Sequence, residues 1–222
     1  MHTMPMSTDQ AQLQPRLRHI IFDFGGVVFR WHPATLLARV LPQHAPTPEA
    51  AEQLKAVFFQ NYEGDWGAFD SGLISADEVV QRISARTNLT PAEVQAVVDA
   101  VPDELAPQAG TVALMQALKA AGHRLFYLSN MPAPYAEHLE RTHAFMAWFE
   151  RGVFSSRVRT GKPGRRIYEL ALADFGIPAA DALFIDDHPV NIEAATALGL
   201  PALLFTTPEQ LAADLRQRGL LG

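Results

Sequence analysis

The sequence predicts an α/β fold: a parallel sheet with right-handed helical crossovers, carrying one all-helical insert. Two observations predict it. From residue 107 onward, short continuous apolar runs alternate with single helical patterns, the rhythm of parallel strands joined by helices. Between about residues 34 and 107 that rhythm gives way to helical periodicity alone, with no convincing strand.

Taken in order, residues 1–16 contain Pro5 and Pro15 and no apolar segment of the kind a signal peptide carries, so they read as a loose tail. Ile20, Ile21 and Phe22 form the first apolar run. It is too short for an isolated helix, and Gly25 and Gly26 follow it, so it reads as a buried strand stopped by a tight turn. In the insert, Ser75 with Asp77 and Glu78 marks a helix start, and Val79, Val80 and Ile83 fall on one face. Thr90-Pro91-Ala92-Glu93 is a capping box with proline at the first helical position, followed by Val94, Val97, Val98 and Val101 at helical spacing. A helix over 109–121 then stops at Gly122, and Leu125–Leu128 is the second strand, ending in Ser129-Asn130. A helix near 133–143 leads to a short third strand at Gly152–Ser155. The next helix starts at Thr160–Pro163 and closes at Gly176, and the fourth strand, Ala182–Ile185, ends in Asp186-Asp187. A helix over 189–198, a fifth strand at Ala202–Phe205 and a helix over about 208–218 complete the chain.

Apolar residues at 48% and charged residues at 19% are the balance of a globular domain. A net charge of −6, with no basic run longer than Arg165-Arg166, argues against nucleic acid as a partner. No stretch approaches the roughly 18 apolar residues of a membrane span, so no membrane partner is expected either. The chain has no cysteine, which excludes disulfides, thiolate metal sites and cysteine nucleophiles and fits a cytoplasmic location. A monomer or a homodimer is expected.

In an open α/β sheet, ligands bind in the crevice at the C-terminal edge of the strands. Three strands end there in polar residues: Asp23, then Ser129-Asn130, then Asp186-Asp187. Lys162, at a helix start in another β-to-α loop, reaches the same edge. Carboxylates are oxygen ligands suited to Mg²⁺. A hydroxyl, an amide and a lysine suit the equatorial oxygens of a phosphate, and Asp is also a covalent nucleophile in phosphoryl transfer. Each residue has a plainer reading as well. Asp23, Ser129 and Asn130 suit turns, Lys162 suits a solvated surface, and an acid before residue 189 caps a helix. One acid suffices for a cap, however, so the adjacent pair Asp186-Asp187 favours a metal role. In the insert, Trp66, Phe69 and Asp70 form the most distinctive group, and its aromatics read as core rather than substrate wall. His188 reads as a turn residue and Asn191 as a supporting or helix residue.

This order of Asp, Ser, Lys and Asp-Asp resembles the haloacid dehalogenase superfamily, in its phosphatase-like branch. Four pieces carry the resemblance in order: IIFDFGGVV, LFYLSN, GKPGRRIYELAL and ALFIDDHPVNIEAA. With their spacing they cover nearly the whole chain beyond the tail. The resemblance implies a Rossmann-like core over residues 17–30 and 107–222, with a helical cap over 31–106 between the first and second motifs. It implies that Asp23 is the nucleophile that forms an aspartyl-phosphate. Ser129, Asn130, Lys162 and Gly26 would bind the phosphoryl group, Lys162 also offsetting charge around Asp23. Mg²⁺ would be held by Asp23, by the backbone carbonyl of Gly25, by Asp187, and by Asp186 directly or through water. The implied reaction is Mg²⁺-dependent hydrolysis of a small phosphorylated metabolite.

One position departs from the family pattern. Its phosphatases place a second Asp two residues after the nucleophile as general acid/base, and here that residue is Gly25. Such a group is typically worth about 10²–10⁴-fold in rate. The departure keeps two alternatives in view: a metal-independent 2-haloacid dehalogenase, since those enzymes also lack this acid, and a catalytically weak protein that binds a phosphorylated ligand. A cap residue, or His32 just after the first motif, is a candidate for the missing group.

Overall fold

The computed structural model describes residues 17–222, and the tail expected over residues 1–16 lies outside the described residues. The chain enters the sheet through β1 (His19–Phe22) and turns sharply. The amides of Val27, Val28 and Phe29 all converge on the Phe24 carbonyl, at 3.2, 2.9 and 2.8 Å. This tight knot, with Gly26 at φ +80°, reverses the chain directly behind Asp23.

The chain is then helical from Pro33 to Glu104. The helices are α1 (Pro33–Val40), α2 (Pro48–Phe59), α3 (Gly64–Asp70), α4 (Ala76–Arg86) and α5 (Pro91–Glu104). Both capping boxes form as the sequence specifies: Ser75 with Glu78 opens α4, and Thr90 with Glu93 opens α5. Between α2 and α3, three successive non-glycine residues adopt left-handed conformations: Gln60 (φ 49°), Asn61 (φ 52°) and Tyr62 (φ 63°). Each costs roughly 1 kcal/mol or more, and strain of this kind concentrates at functional sites. Phe58, Phe59, Trp66 and Phe69 pack edge-on or tilted against one another at the centre of this insert.

Past α6 (Ala109–Ala120) the alternation begins: β2 (Arg124–Ser129), α7 (Ala133–Thr142), β3 (Phe149–Phe154), α8 (Ser155–Val158) and α9 (Arg165–Phe175). β4 (Ala182–Asp186), α10 (Pro189–Ala197), β5 (Ala202–Leu204) and α11 (Pro208–Gln217) complete it. The five strands are parallel in the order β3-β2-β1-β4-β5. Side chains alternate across the sheet. Ile20, Phe22, Leu125 and Leu183 join the larger core, which runs into the helical insert. Ile21, Phe126, Leu128 and Phe184 pack on the opposite face against Tyr168 and Phe175 of α9. Among the described residues no helix is long and apolar enough to cross a membrane.

Two elements differ from the sequence reading. The sequence starts the third strand at Gly152, whereas β3 starts at Phe149. Glu150 and Arg151 interrupt the apolar run, but β3 is an edge strand, where charged residues are tolerated; they pair with Arg124 and Asp174. The sequence also places Lys162 at a helix start, whereas α9 begins at Arg165 with Gly164 as its N-cap. The residue before a proline avoids the helical region, which leaves Lys162 in the turn.

Candidate active site

The register sets the level of each strand end. Phe22 stands opposite Tyr127 on one side and Ile185 on the other, so Asp23, Ser129 and Asp186 emerge close together in the middle of the sheet. All three are buried, and so is Lys162. The Lys162 Nζ donates to Asp23 Oδ1 at 2.8 Å and to Asp186 Oδ2 at 2.6 Å. The Phe24 amide also donates to Asp23 Oδ1, at 2.7 Å. Asp186 accepts from the His188 amide at 2.8 Å and from Asn191 Nδ2 at 2.9 and 3.1 Å. Both oxygens of Asp186 are thus engaged in holding Lys162 and the start of α10. Asn191, one turn into that helix, is the support that keeps them so.

Asn130 lies beside this group. Its Nδ2 donates to the Lys162 carbonyl at 2.9 Å, and its Oδ1 accepts from the Lys162 amide at 2.8 Å. The sequence reading gives Asn130 to the phosphate. In the fold both arms of its amide grip the Lys162 backbone, which replaces the hydrogen bonds that a residue in a turn lacks.

The electrostatics ask for positive charge. Burial pushes the Asp23 carboxyl up, Lys162 pulls it back, and Asp186 and Asp187 push it up again, to about 7. Burial also raises the Asp187 carboxyl, opposed by His188 and reinforced by Asp186. Burial works against the Lys162 ammonium, but Asp186 and Asp23 outweigh it and hold its pKa above the ordinary lysine value. One ammonium faces three carboxylates whose oxygens lie within 4.8 Å of one another. A divalent cation with oxygen ligands fits that donor set. Two buried atoms without partners among the described residues, Asp187 Oδ1 and Ser129 Oγ, mark where a cation and an oxyanion would be received. None of the turn's backbone hydrogen bonds ends on the Gly25 carbonyl.

Gly26 makes this approach possible. At φ +80°, a Cβ added there would overlap the Asp187 carboxylate. Gly26→Ala is therefore expected to displace Asp187, weaken Mg²⁺ binding at least tenfold and cost about 1–3 kcal/mol of stability. Calorimetric titration with Mg²⁺ and a urea melt check both; unchanged affinity would show that Asp187 does not meet the cation.

A cavity of about 490 Å³ opens above the strand ends, between the sheet edge and the helical insert. Asp23, Gly25, Asn130 and Lys162 line its floor. Trp31, Tyr62, Trp66, Leu105, Met131 and Tyr135 supply much of its wall. Trp66, read from sequence as core, is both: it is buried in the insert's aromatic cluster and presents a face to the cavity. Phe69 packs behind it. Trp31 Nε1 donates to Tyr62 Oη at 3.0 Å and Tyr135 Oη donates to the Val98 carbonyl at 2.9 Å, which holds these rings in place. Tyr62 and Tyr135 escape a sequence reading because neither sits in a motif. The one signal for Tyr62 was its place just before Gly64 at a helix junction. His32 is exposed at the N-cap of α1 and does not line the cavity, so it cannot supply a missing proton donor there. Asp70 does line it.

Comparison with known proteins places the chain in a family and a fold. A family model described as haloacid dehalogenase-like hydrolase matches residues 17–199. The chain is 29% identical over 198 residues to the sesquiterpene phosphatase astK of Aspergillus oryzae, covering 89% of this chain and 94% of that one. A predicted HAD-like family hydrolase from Porphyromonas gingivalis superposes with a TM-score of 0.70 at 25% identity, covering 90% and 97% of the two chains. A HAD family enzyme from Bacteroides thetaiotaomicron superposes at 0.71 and 18% identity, covering 90% and 99%.

Proposed function

The chain belongs to the haloacid dehalogenase-like hydrolases, and from that premise we propose that it is a Mg²⁺-dependent phosphatase working through an aspartyl-phosphate on Asp23. The observation that carries this reading is the buried Asp23–Lys162–Asp186 chain beside two atoms without partners among the described residues, Ser129 Oγ and Asp187 Oδ1. Together these supply a nucleophile, a phosphate cradle and a cation site at one sheet edge.

Lys162 and the Phe24 amide both hold Asp23 Oδ1, which leaves Oδ2 to attack phosphorus. Lys162 Nζ and Ser129 Oγ stabilise the equatorial oxygens as charge moves onto them. Asp186, Asn191 and Asn130 keep the ammonium in place, so little reorganisation is needed when the phosphoryl group arrives. Asp23, Asp187 and the Gly25 carbonyl would hold Mg²⁺, with Asp186 reaching it through water; when bound, the ion neutralises phosphate charge that would otherwise repel Asp23. Water then cleaves the aspartyl-phosphate and releases inorganic phosphate. The helical insert acts as a cap that excludes bulk water from these steps.

The cavity bears on the substrate. Among the described residues Lys162 is the only lysine or arginine that lines it, and aromatic and aliphatic side chains make most of the remainder. This supports a metabolite with a single phosphate on an apolar or aromatic body; the similar protein astK is named a sesquiterpene phosphatase. The absence of cysteine supports action in the cytoplasm.

The test is phosphate release from a panel of prenyl, aryl, sugar and nucleoside monophosphates, with Mg²⁺ or with chelator. Release is expected from the apolar members, only with Mg²⁺, and is expected to vanish in Asp23→Asn with an unchanged melting temperature. Haloacid turnover in chelator would instead establish the metal-independent dehalogenase.

A further inference from the structure

We propose that Asp70, on the wall of the cavity, is the general acid and base whose usual place is taken by Gly25; the assignment rests on the phosphatase reading above. Three observations converge on it. First, position 25 cannot do the work. Glycine carries no side chain to move a proton, and a Cβ built there would meet Trp31 Cβ and Cγ at 3.8 Å, so the indole borders this position.

Second, Asp70 borders the same space. It is 6% exposed, and it lines the cavity that Asp23 and Lys162 floor. Trp66 and Asp70 are four residues apart on α3, hence on one helix face, and both look into that cavity. No ion pair or side-chain hydrogen bond engages the Asp70 carboxyl among the described residues, although buried carboxylates without a partner are rare.

Third, its position is tied to the reaction centre. The buried hydroxyl of Ser155 donates to the Asp70 backbone carbonyl and accepts from the Met131 amide at 2.9 Å. Met131 follows Asn130 directly, so one side chain pins the end of α3 to the loop that positions Lys162. Burial first, and the charge of Asp23 second, push the Asp70 carboxyl up to about 8, so it carries a proton at neutral pH.

The protons then balance. As Asp23 Oδ2 bonds to phosphorus and the bond from phosphorus to the leaving oxygen breaks, the Asp70 carboxyl gives its proton to that oxygen. A water molecule next attacks phosphorus and loses a proton to the Asp70 carboxylate. The Asp23–phosphorus bond breaks, and the carboxyl is restored.

The test compares an alkyl phosphate with p-nitrophenyl phosphate, whose leaving group needs no proton, in Mg²⁺. In Asp70→Asn, kcat for the alkyl ester is expected to fall about 10²–10⁴-fold with KM nearly unchanged. With p-nitrophenyl phosphate the same variant should give a burst of nitrophenolate stoichiometric with enzyme, then a slow phase, because hydrolysis of the aspartyl-phosphate has lost its base. Asp70→Glu should recover part of the activity, and Asp70→Ser is carried in parallel so that the readout survives if one variant does not fold. A folded Asp70→Asn that retains wild-type kcat, or that loses both substrates equally without a burst, overturns the assignment. A wild type that releases no phosphate from either ester overturns the phosphatase reading itself, and the assignment with it.

Discussion

Lys162→Met is expected to cost about 3–5 kcal/mol of stability and about 10²–10³-fold or more of the proposed phosphate release. The ammonium is buried between two buried carboxylates, at 2.8 Å from Asp23 and 2.6 Å from Asp186. Methionine matches the length of the stem but leaves two carboxylates facing each other without compensation. Removing one partner of a buried pair exposes the desolvation cost of the other, which exceeds the net worth of the pair itself. Asp186 keeps its bonds from His188 and Asn191, so Asp23, with fewer donors, would take up the imbalance by binding a proton. A protonated Asp23 is a poor nucleophile, so activity falls along with stability.

The double variant separates the two effects. Lys162→Met with Asp186→Asn removes one of the stranded charges and is expected to regain a large part of the lost stability. It is not expected to regain activity, because nothing then holds the phosphoryl oxygens that Lys162 would hold. Urea melts in chelator and phosphate release in Mg²⁺ read the two quantities independently. If the double variant were no more stable than Lys162→Met, removing the Asp186 carboxylate would relieve nothing, and the chain from Asp23 through Lys162 to Asp186 would need a different description.

The parts of this fold that were legible in the sequence are those with a local physical cause. Apolar runs such as Ile20–Phe22 and Ala182–Ile185, each too short for a helix and followed by polar or turn residues, read as buried strands, and the polar residues that end them fall at one sheet edge. The capping boxes at Ser75 and Thr90 are complete within four residues, so their helices could be read directly. What stayed hidden depends on contacts between distant segments. Phe149–Arg151 is a strand only because it borders β2 at the sheet edge. The hold of the Asn130 amide on the Lys162 backbone, 32 residues away, has no local signature. Trp66 has a core signature and also walls a cavity, since an aromatic ring has two faces and periodicity reports one. Asp70 stands out beside Phe69, but its burial follows from the packing of α3 against the edge near Ser155, which no local pattern encodes.

Asp70 also gives the molecule a dependence on pH that its replacement should remove. Its carboxyl is raised above the ordinary range to about 8, by burial first and by Asp23 second. A raised pKa means that the folded state binds the proton more tightly than the unfolded state. The stabilisation is therefore complete below the unfolded value near 4, declines as pH rises, and is gone above about 8. Wild type should lose stability relative to Asp70→Asn at up to about 1.4 kcal/mol per pH unit, or about 4 kcal/mol between pH 5 and pH 8. The titratable groups that line the same cavity are Asp23, Tyr62, Glu63, Tyr135, Lys162 and His188, all present in both proteins. Burial raises both phenols, Tyr62 to about 12, so neither titrates in this window. Asp23 does titrate there, but it is present in both proteins, and its charge enters the comparison only through its effect on Asp70. Urea melts of the two proteins in chelator, at several pH values, give the difference directly. A flat difference would mean that Asp70 is already charged in the folded protein near pH 5, and a carboxylate in that state has no proton to give a leaving group. A sloping difference with unaltered kcat in Asp70→Asn would separate the two properties, leaving a buried neutral acid that shapes the cavity and takes no part in the reaction.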